Sequence, residues 1–452
     1  MARVVGLDIH KTVVQAAIVD AKGVLQSQER FGCSRGELEL YARTHLRRSD
    51  RVALEATTNT WGVVAILKPF VKEVVVSNPL RTRAIATAKV KTDKVDALVL
   101  AQLLRSNYLP RVWEPPQAVQ EARAVTGRRA ALIADRTAVK NRIQACLRER
   151  LIMSPGRQLF SARGRAWLAA LEIDELARVA IQSDLRIIDA IDSELELVDT
   201  TLLKKSADNE DVQLLVTLPG VDVAVAQTVL AALGDISRFP DGDHAASYIG
   251  IVPSTRQSAN HCSHGSITKQ GNTRARWLLV QAARHVGKHP GPLGAFFRRV
   301  AKKRGYNIAV VATARKMVVI AWHMLTRREP YRYALPIATQ AKLRRIRTAA
   351  GVDRRKGPRH AKPRPQRPGG TRRIPSLPEV YASEALPALQ PARPGETRML
   401  KTKRLTATVD GLNKEQWRRV ATSPSRAQTA DKRRGRLARP ADRKPPTNAV
   451  QA

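Results

Sequence analysis

The sequence predicts an α/β N-terminal domain joined to a long helical segment, a mainly α second domain and a disordered basic tail. Three observations predict it. Short β-rich apolar runs alternate with helical patterns over residues 1–112. Apolar side chains then recur at helical spacing over 113–210, and several further helices follow over 211–335. From residue 336 proline and arginine displace the apolar residues that could build a core.

Arg3–Ile9 and Val13–Val19 are apolar runs suited to buried strands. The turn Asp20-Ala21-Lys22-Gly23 leads into a third, Val24–Phe31, so a three-strand meander opens the chain. Ser34 followed by Glu37 has the capping-box spacing and predicts a helix through His45. Arg51–Ala56 reads as a fourth strand, Trp61–Val71 as a helix and Glu73–Ser77 as a fifth strand. Asn78-Pro79 opens a helical stretch, and Thr92 caps an apolar-periodic helix running to Leu104. Antiparallel strands first, then alternating strand and helix, imply a mixed sheet.

Val125, Leu132, Ile133, Val139, Ile143 and Leu147 mark one long helix, and Leu185, Ile188, Ile191, Leu195, Val198 and Leu202 a second. The second set is close to a heptad, which fits either a helical hairpin or a coiled-coil dimerisation element. Residues 336–452 hold 14 prolines and 29 basic against 8 acidic residues, too polar a composition to offset the entropy of ordering.

Lys and Arg outnumber Asp and Glu by 79 to 39, a formal net charge of +40 that favours a polyanionic partner, nucleic acid above all. Cys33, Cys146 and Cys262 are odd in number and far apart, which excludes a disulfide scaffold and a Cys-x-x-Cys metal pair. No apolar stretch reads as a signal core or a membrane span, so no membrane partner is expected and the setting is cytoplasmic and nucleoid-associated.

Four acids carry the candidate chemistry. Asp8 lies inside the apolar strand GLDIH, where a carboxylate is costly unless paired or bound to metal. Glu55 ends the apolar strand in VALEATTN. Asp93 and Asp96, in KVKTDKVDALVLAQLL, stand three residues apart at a helix start, on one face, where the helix dipole tolerates negative charge. Hard oxygen ligands suit Mg²⁺ or Mn²⁺, and two such ions can activate an attacking oxygen and stabilise a leaving one in phosphoryl transfer. Each acid alone has a plain structural reading. Placed in this order after a β-meander, the four have the layout of a ribonuclease-H-like, RuvC-like nuclease domain.

GLDIHK, LEAT and KVKTDKVDALVLAQLLR resemble the DEDD transposases of insertion-sequence family 110. LLVTLPGVDVAVAQTVLAALGDISRF, AASYIGIVP, RQS and GSITKQGNTRAR resemble that family's second conserved domain, so the resemblance spans residues 3–325 in the family's order. It implies a DNA transposase or recombinase whose catalytic metal ligands are Asp8, Glu55, Asp93 and Asp96. The implied partners are DNA at the element ends and target, a non-coding guide RNA, and further copies of the chain in a dimer or tetramer. It implies a catalytic serine too. Ser258, in Arg256-Gln257-Ser258-Ala259 after Tyr248, Gly250 and Pro253, matches that position, with Ala259 where the family has glycine. The implied reaction is metal-dependent, RNA-guided strand cleavage and exchange through a covalent phosphoserine. A hydrolytic RuvC-like nuclease or junction resolvase shares the four acids but needs no serine. A non-catalytic nucleic-acid-binding derivative is the other alternative.

Leu218-Pro219-Gly220-Val221 is similar to a helix-hairpin-helix turn, whose backbone N–H groups can face phosphate, and is equally readable as a structural turn; Asp222 stands where the family more often has glycine. Lys269, Asn272, Arg274 and Arg276 surround a Gly-containing turn at a helix start, suited to phosphate contact. Arg128 and Arg129, with six further basic residues between Arg123 and Arg150, form a stripe that can follow a nucleic-acid backbone or serve as a solvent face. His261, Cys262 and His264 lack a fourth ligand at zinc spacing.

Overall fold

The computed structural model describes residues 3–86, 92–154, 158–258, 261–352 and 371–419. The chain divides into two compact units, residues 1–116 and 117–452.

The first unit is built on a five-stranded sheet in the order β3-β2-β1-β4-β5. Strands β1 (Val4–Ile9), β2 (Val13–Val19) and β3 (Leu25–Gly32) form the expected antiparallel meander. Strands β4 (Arg51–Glu55) and β5 (Glu73–Ser77) run parallel to β1. Parallel pairing requires crossovers, and helices α1 (Arg35–His45) and α2 (Thr60–Leu67) provide them. Ser34 and Glu37 close both halves of the capping box that starts α1. Helices α3 (Pro79–Ile85) and α4 (Asp93–Arg105) follow β5, begun by the side chains of Asn78 and Thr92.

Strand alternation splits the core in two. Val5, Leu7, Val52 and Leu54 face α1 and α2, whereas Val4, Ala53 and Val75 pack with Leu100, Ala101 and Leu104 of α4. Gly6 belongs to the α4 face. A Cβ there would overlap the Ala97 carbonyl and the Ala101 N–H, so only glycine lets α4 lie this close to β1.

In the second unit α5 (Gln117–Glu149), α6 (Ala162–Ala169) and α7 (Glu175–Ala207) open the chain. Helices α5 and α7 pack antiparallel, with Ile188 and Ile181 buried against Val139, Ile143 and Leu147. Four arginine–aspartate pairs run along this hairpin: Arg129–Asp199 (2.5 Å), Arg136–Asp192 (2.5 Å), Arg142–Asp184 (2.6 Å) and Arg150–Asp174 (2.7 Å). Among the heptad positions of α7, Ile188, Leu195 and Leu202 are buried within the chain, as the hairpin alternative expects.

A large core gathers α8 (Glu210–Val216), α9 (Val223–Leu233), α10 (Gly242–Ile249), α11 (Thr273–Val286), α12 (Pro292–Arg304) and α13 (Tyr306–Arg327). Between α10 and α11 projects an exposed hairpin of β6 (Pro253–Ser258) and β7 (His261–Ile267). Contrary to the sequence reading, α13 is long and apolar enough to cross a membrane; half of its apolar window is buried within this unit.

The tail requires a larger correction. Helices α14 (Pro336–Ala349), α15 (Leu377–Ser383), α16 (Pro394–Thr402) and α17 (Thr406–Asn413) and the strand pair β8 (Thr371–Ile374) and β9 (Gln416–Arg419) are ordered secondary structure, not a disordered segment. Leu343, Ile346, Leu377, Val380, Tyr381 and Leu400 are buried in the core of the second unit. Residues 353–370 and 420–452 of the expected tail lie outside the described residues.

Candidate active site

Three local rules bring Asp8 and Asp93 together and set Glu55 and Asp96 beside them. Leu7 pairs with Leu54 across the parallel β1 and β4, so Asp8 and Glu55 occupy the next position at neighbouring strand ends. Both follow the alternation of Gly6 and Ala53 and therefore share the α4 face. Thr92 accepts from the Val95 N–H and fixes the first turn of α4, which carries Asp93 and Asp96. The glycine at position 6 lets that turn approach the strand ends.

His10 joins the cluster. Its Nε2 lies 3.0 Å from Asp8 Oδ2 and 3.4 Å from Asp93 Oδ1. One ligand atom from each of Asp8, His10 and Asp93 falls within 4.8 Å of the other two, the only such group among the described residues. Burial pushes the Asp8 carboxyl above its ordinary range; His10 opposes this, and the charges of Asp93 and Asp96 reinforce it. A half-buried carboxylate crowded by two more acids is a site that a divalent cation would relieve, and the oxygen-rich donor set fits Mg²⁺ or Mn²⁺. His10 stands in the same GLDIHK motif as Asp8 but was not among the candidate ligands expected from the sequence. Its signal was alternation: a residue two past Asp8 at a strand end returns to the same face.

In the second unit Ser258 ends β6, opposite His261, and is exposed. No hydrogen-bonded base accompanies it among the described residues; the polar contacts of the hairpin are Thr255 Oγ1 with His264 Nδ1 (3.1 Å) and Ser254 Oγ donating to the Ser266 carbonyl (3.0 Å). Ala259 lies outside the described residues.

The basic candidates divide. Lys269, Arg274 and Arg128 are exposed, Arg274 with its guanidinium against Gly127 of α5. Asn272 is an N-cap, its side chain accepting from the Ala275 N–H. Arg276 is corrected: it is buried and donates to the Ile249 carbonyl at 2.8 Å, closing the end of α10 instead of facing solvent. Arg129 is likewise committed to Asp199.

The 218–221 turn is held by contacts from within the second unit. Gly220 adopts φ +79°, and a Cβ there would overlap the Ala282 carbonyl of α11. Lys342 of α14 donates to the carbonyls of Val216 (2.8 Å), Leu218 (3.2 Å) and Val221 (2.6 Å), so the turn is closed by an ammonium from within the protein.

Comparison with known proteins finds family matches over two stretches of the chain. A family model for transposases of the IS110 DEDD type matches residues 5–151, and one described as transposase, IS116/IS110/IS902 family, matches residues 212–298. The transposase for insertion sequence element IS1111A of Coxiella burnetii is 31% identical over 254 residues, covering 54% of this chain and 68% of the relative. The pilin gene-inverting protein of Moraxella bovis is 25% identical over 340 residues, covering 72% of this chain and 97% of that protein. Among solved structures, Thermus thermophilus RuvC in complex with a Holliday junction substrate is similar at 16% identity and a TM-score of 0.18, covering 25% of this chain and all of that one. The chain belongs to the IS110 family of insertion-sequence transposases.

Proposed function

We propose that this transposase cuts and exchanges DNA strands using the Asp8 cluster, with Ser258 as the point of covalent attachment. The observation that carries the reading is the convergence of Asp8, Asp93 and His10 where β1 and α4 meet. Asp8, Glu55, Asp93 and Asp96 would hold Mg²⁺ or Mn²⁺, which when bound supplies Lewis-acid polarisation of the scissile phosphate. The Ser258 hydroxyl attacks phosphorus, a P–Oγ bond forms and the bond to the leaving deoxyribose oxygen breaks. The serine proton passes to a base and the leaving oxygen takes one up; attack by another strand's hydroxyl reverses the step and frees the serine. Exposure at the end of β6 leaves Ser258 within reach of a strand. A gene-inverting relative supports exchange over simple cutting.

Lys269, Arg274 and Arg128 contact phosphates of DNA at the element ends and target, and a non-coding guide RNA directs target choice. Exposed Leu176, Val179, Ile187 and Leu197 on α7 favour a homo-oligomer, dimer or tetramer. The setting is cytoplasmic, on the nucleoid.

Asp8→Asn and Asp96→Asn are expected to cut recombination by at least a hundredfold while duplex DNA binding stays within twofold. Ser258→Ala is expected to lose the protein–DNA adduct on a denaturing gel. An adduct that persists moves the nucleophile to another group, and cleavage without any adduct favours the hydrolytic nuclease. Full recombination by Asp8→Asn rejects the acid site itself.

A further inference from the structure

A cavity of about 510 Å³ opens in the second unit, lined by α12, α13 and α16. That volume lies in the range of small-ligand sites. Its wall combines an aromatic face, a ring of cations and an imidazole. Phe297 enters the core, but the adjacent Phe296 lines the cavity half-buried. The Arg299 guanidinium and the Lys316 ammonium lie 5.5 and 5.7 Å from the Phe296 ring centroid.

Arg327, Arg393 and Lys403 complete the ring of cations, and no carboxylate among the described residues pairs with any of these five side chains. Glu396, one of two acids in the wall, is occupied by Arg332 and the Tyr333 hydroxyl. His323 also lines the cavity, its Nδ1 buried without a hydrogen-bond partner. Burial, then the charges of Arg327 and Arg393, lower its pKa.

We propose that this cavity takes one unpaired nucleotide of a single-stranded nucleic acid, its base against Phe296 and its phosphates among the cations. A small inorganic anion would use the cations but leave Phe296, Leu293, Met324 and Met399 idle. A duplex keeps its bases stacked inside and presents only phosphates to the rim. Stacking on an aromatic ring combined with backbone contact by cations is how proteins hold single strands without reading sequence. The chemistry is shared by DNA and RNA strands, and it is independent of the Asp8 cluster and Ser258.

The full chain would be titrated with a fluorescent twelve-nucleotide single strand, as DNA and as RNA, and with the DNA duplex of the same sequence. Phe296→Leu keeps apolar volume but loses the stacking face. It is expected to weaken single-strand binding about tenfold while duplex binding holds and Phe296→Tyr binds like the parent. Loss with DNA alone, RNA alone or both identifies the source of the strand. Unchanged single-strand affinity, or an equal loss with duplex, overturns the assignment. If Phe296→Leu melts early, exposed Lys403→Gln serves in its place and must weaken the single strand more than the duplex; an equal effect on both rejects the proposal.

Discussion

At the scale of single residues, the candidate site is Asp8, His10 and Asp93 within ligand distance, with Glu55 next to Asp8 in the strand register and Asp96 in the same helix turn as Asp93. Their identities follow from cost: a carboxylate such as Asp8, set in a buried strand and pushed toward protonation, persists where something else needs its charge. His10, bridging Asp8 and Asp93, adds a nitrogen donor that the four acids lack. His10→Ala is expected to weaken Mn²⁺ binding about tenfold and Mg²⁺ binding less, because imidazole favours the softer ion. Titration calorimetry of the two ions reads the difference, and equal affinities in variant and parent would show that His10 only orients Asp8. Sequence alone pointed to the four acids because each sits where a local rule is strong: an apolar strand for Asp8 and Glu55, a capped helix for Asp93 and Asp96. Arg276 shows where that reasoning stops. A basic residue at a helix start has the same pattern whether it extends to phosphate or folds back onto the Ile249 carbonyl, and only packing decides.

At the scale of elements, the five strands and the helix caps of the first unit were legible nearly to the residue, whereas the strand pairs β6–β7 and β8–β9 were not read at all. Ser34, Asn78 and Thr92 each satisfy N–H groups that a new helix leaves open, and that need is written locally. The turn at 218–221 depends on a partner far away. Lys342 sits more than a hundred residues later and closes three of its neighbourhood's carbonyls, so its function there is invisible from either segment. Burial pushes the Lys342 pKa down to about 8 from 10.5. The folded protein therefore releases this proton before the unfolded chain does, and stability gains from deprotonation as pH rises from about 8 to 10.5. Urea midpoints of the parent are expected to rise relative to Lys342→Met across that window, and a constant gap between the two curves would contradict it. Below the window Lys342→Ala should cost about 1–3 kcal/mol, since it strands buried carbonyls.

At the scale of the whole molecule, the most misleading signal was composition. The stretch from 336 is rich in proline and arginine, yet Leu377, Val380 and Tyr381 arrive at helical spacing behind the Ser376 capping box and complete the second core. Averaging over a long window hides a few well-placed apolar side chains. Tyr381→Ala is expected to destabilise the protein by about 3–5 kcal/mol, the cost of deleting a buried aromatic, and its hydroxyl's bond to the Tyr331 carbonyl is lost with it. A chain stopped after residue 352 should melt well below the full chain; coincident calorimetric melts would return this segment to a dispensable role. The pairs between α5 and α7 have a mechanical consequence as well. Sliding one helix past the other by a single turn would pull all four arginines off their aspartates together. The four pairs thus fix the register of the hairpin at points along its length, and Arg123 ties the start of α5 to the Ala231 and Ala232 carbonyls of α9.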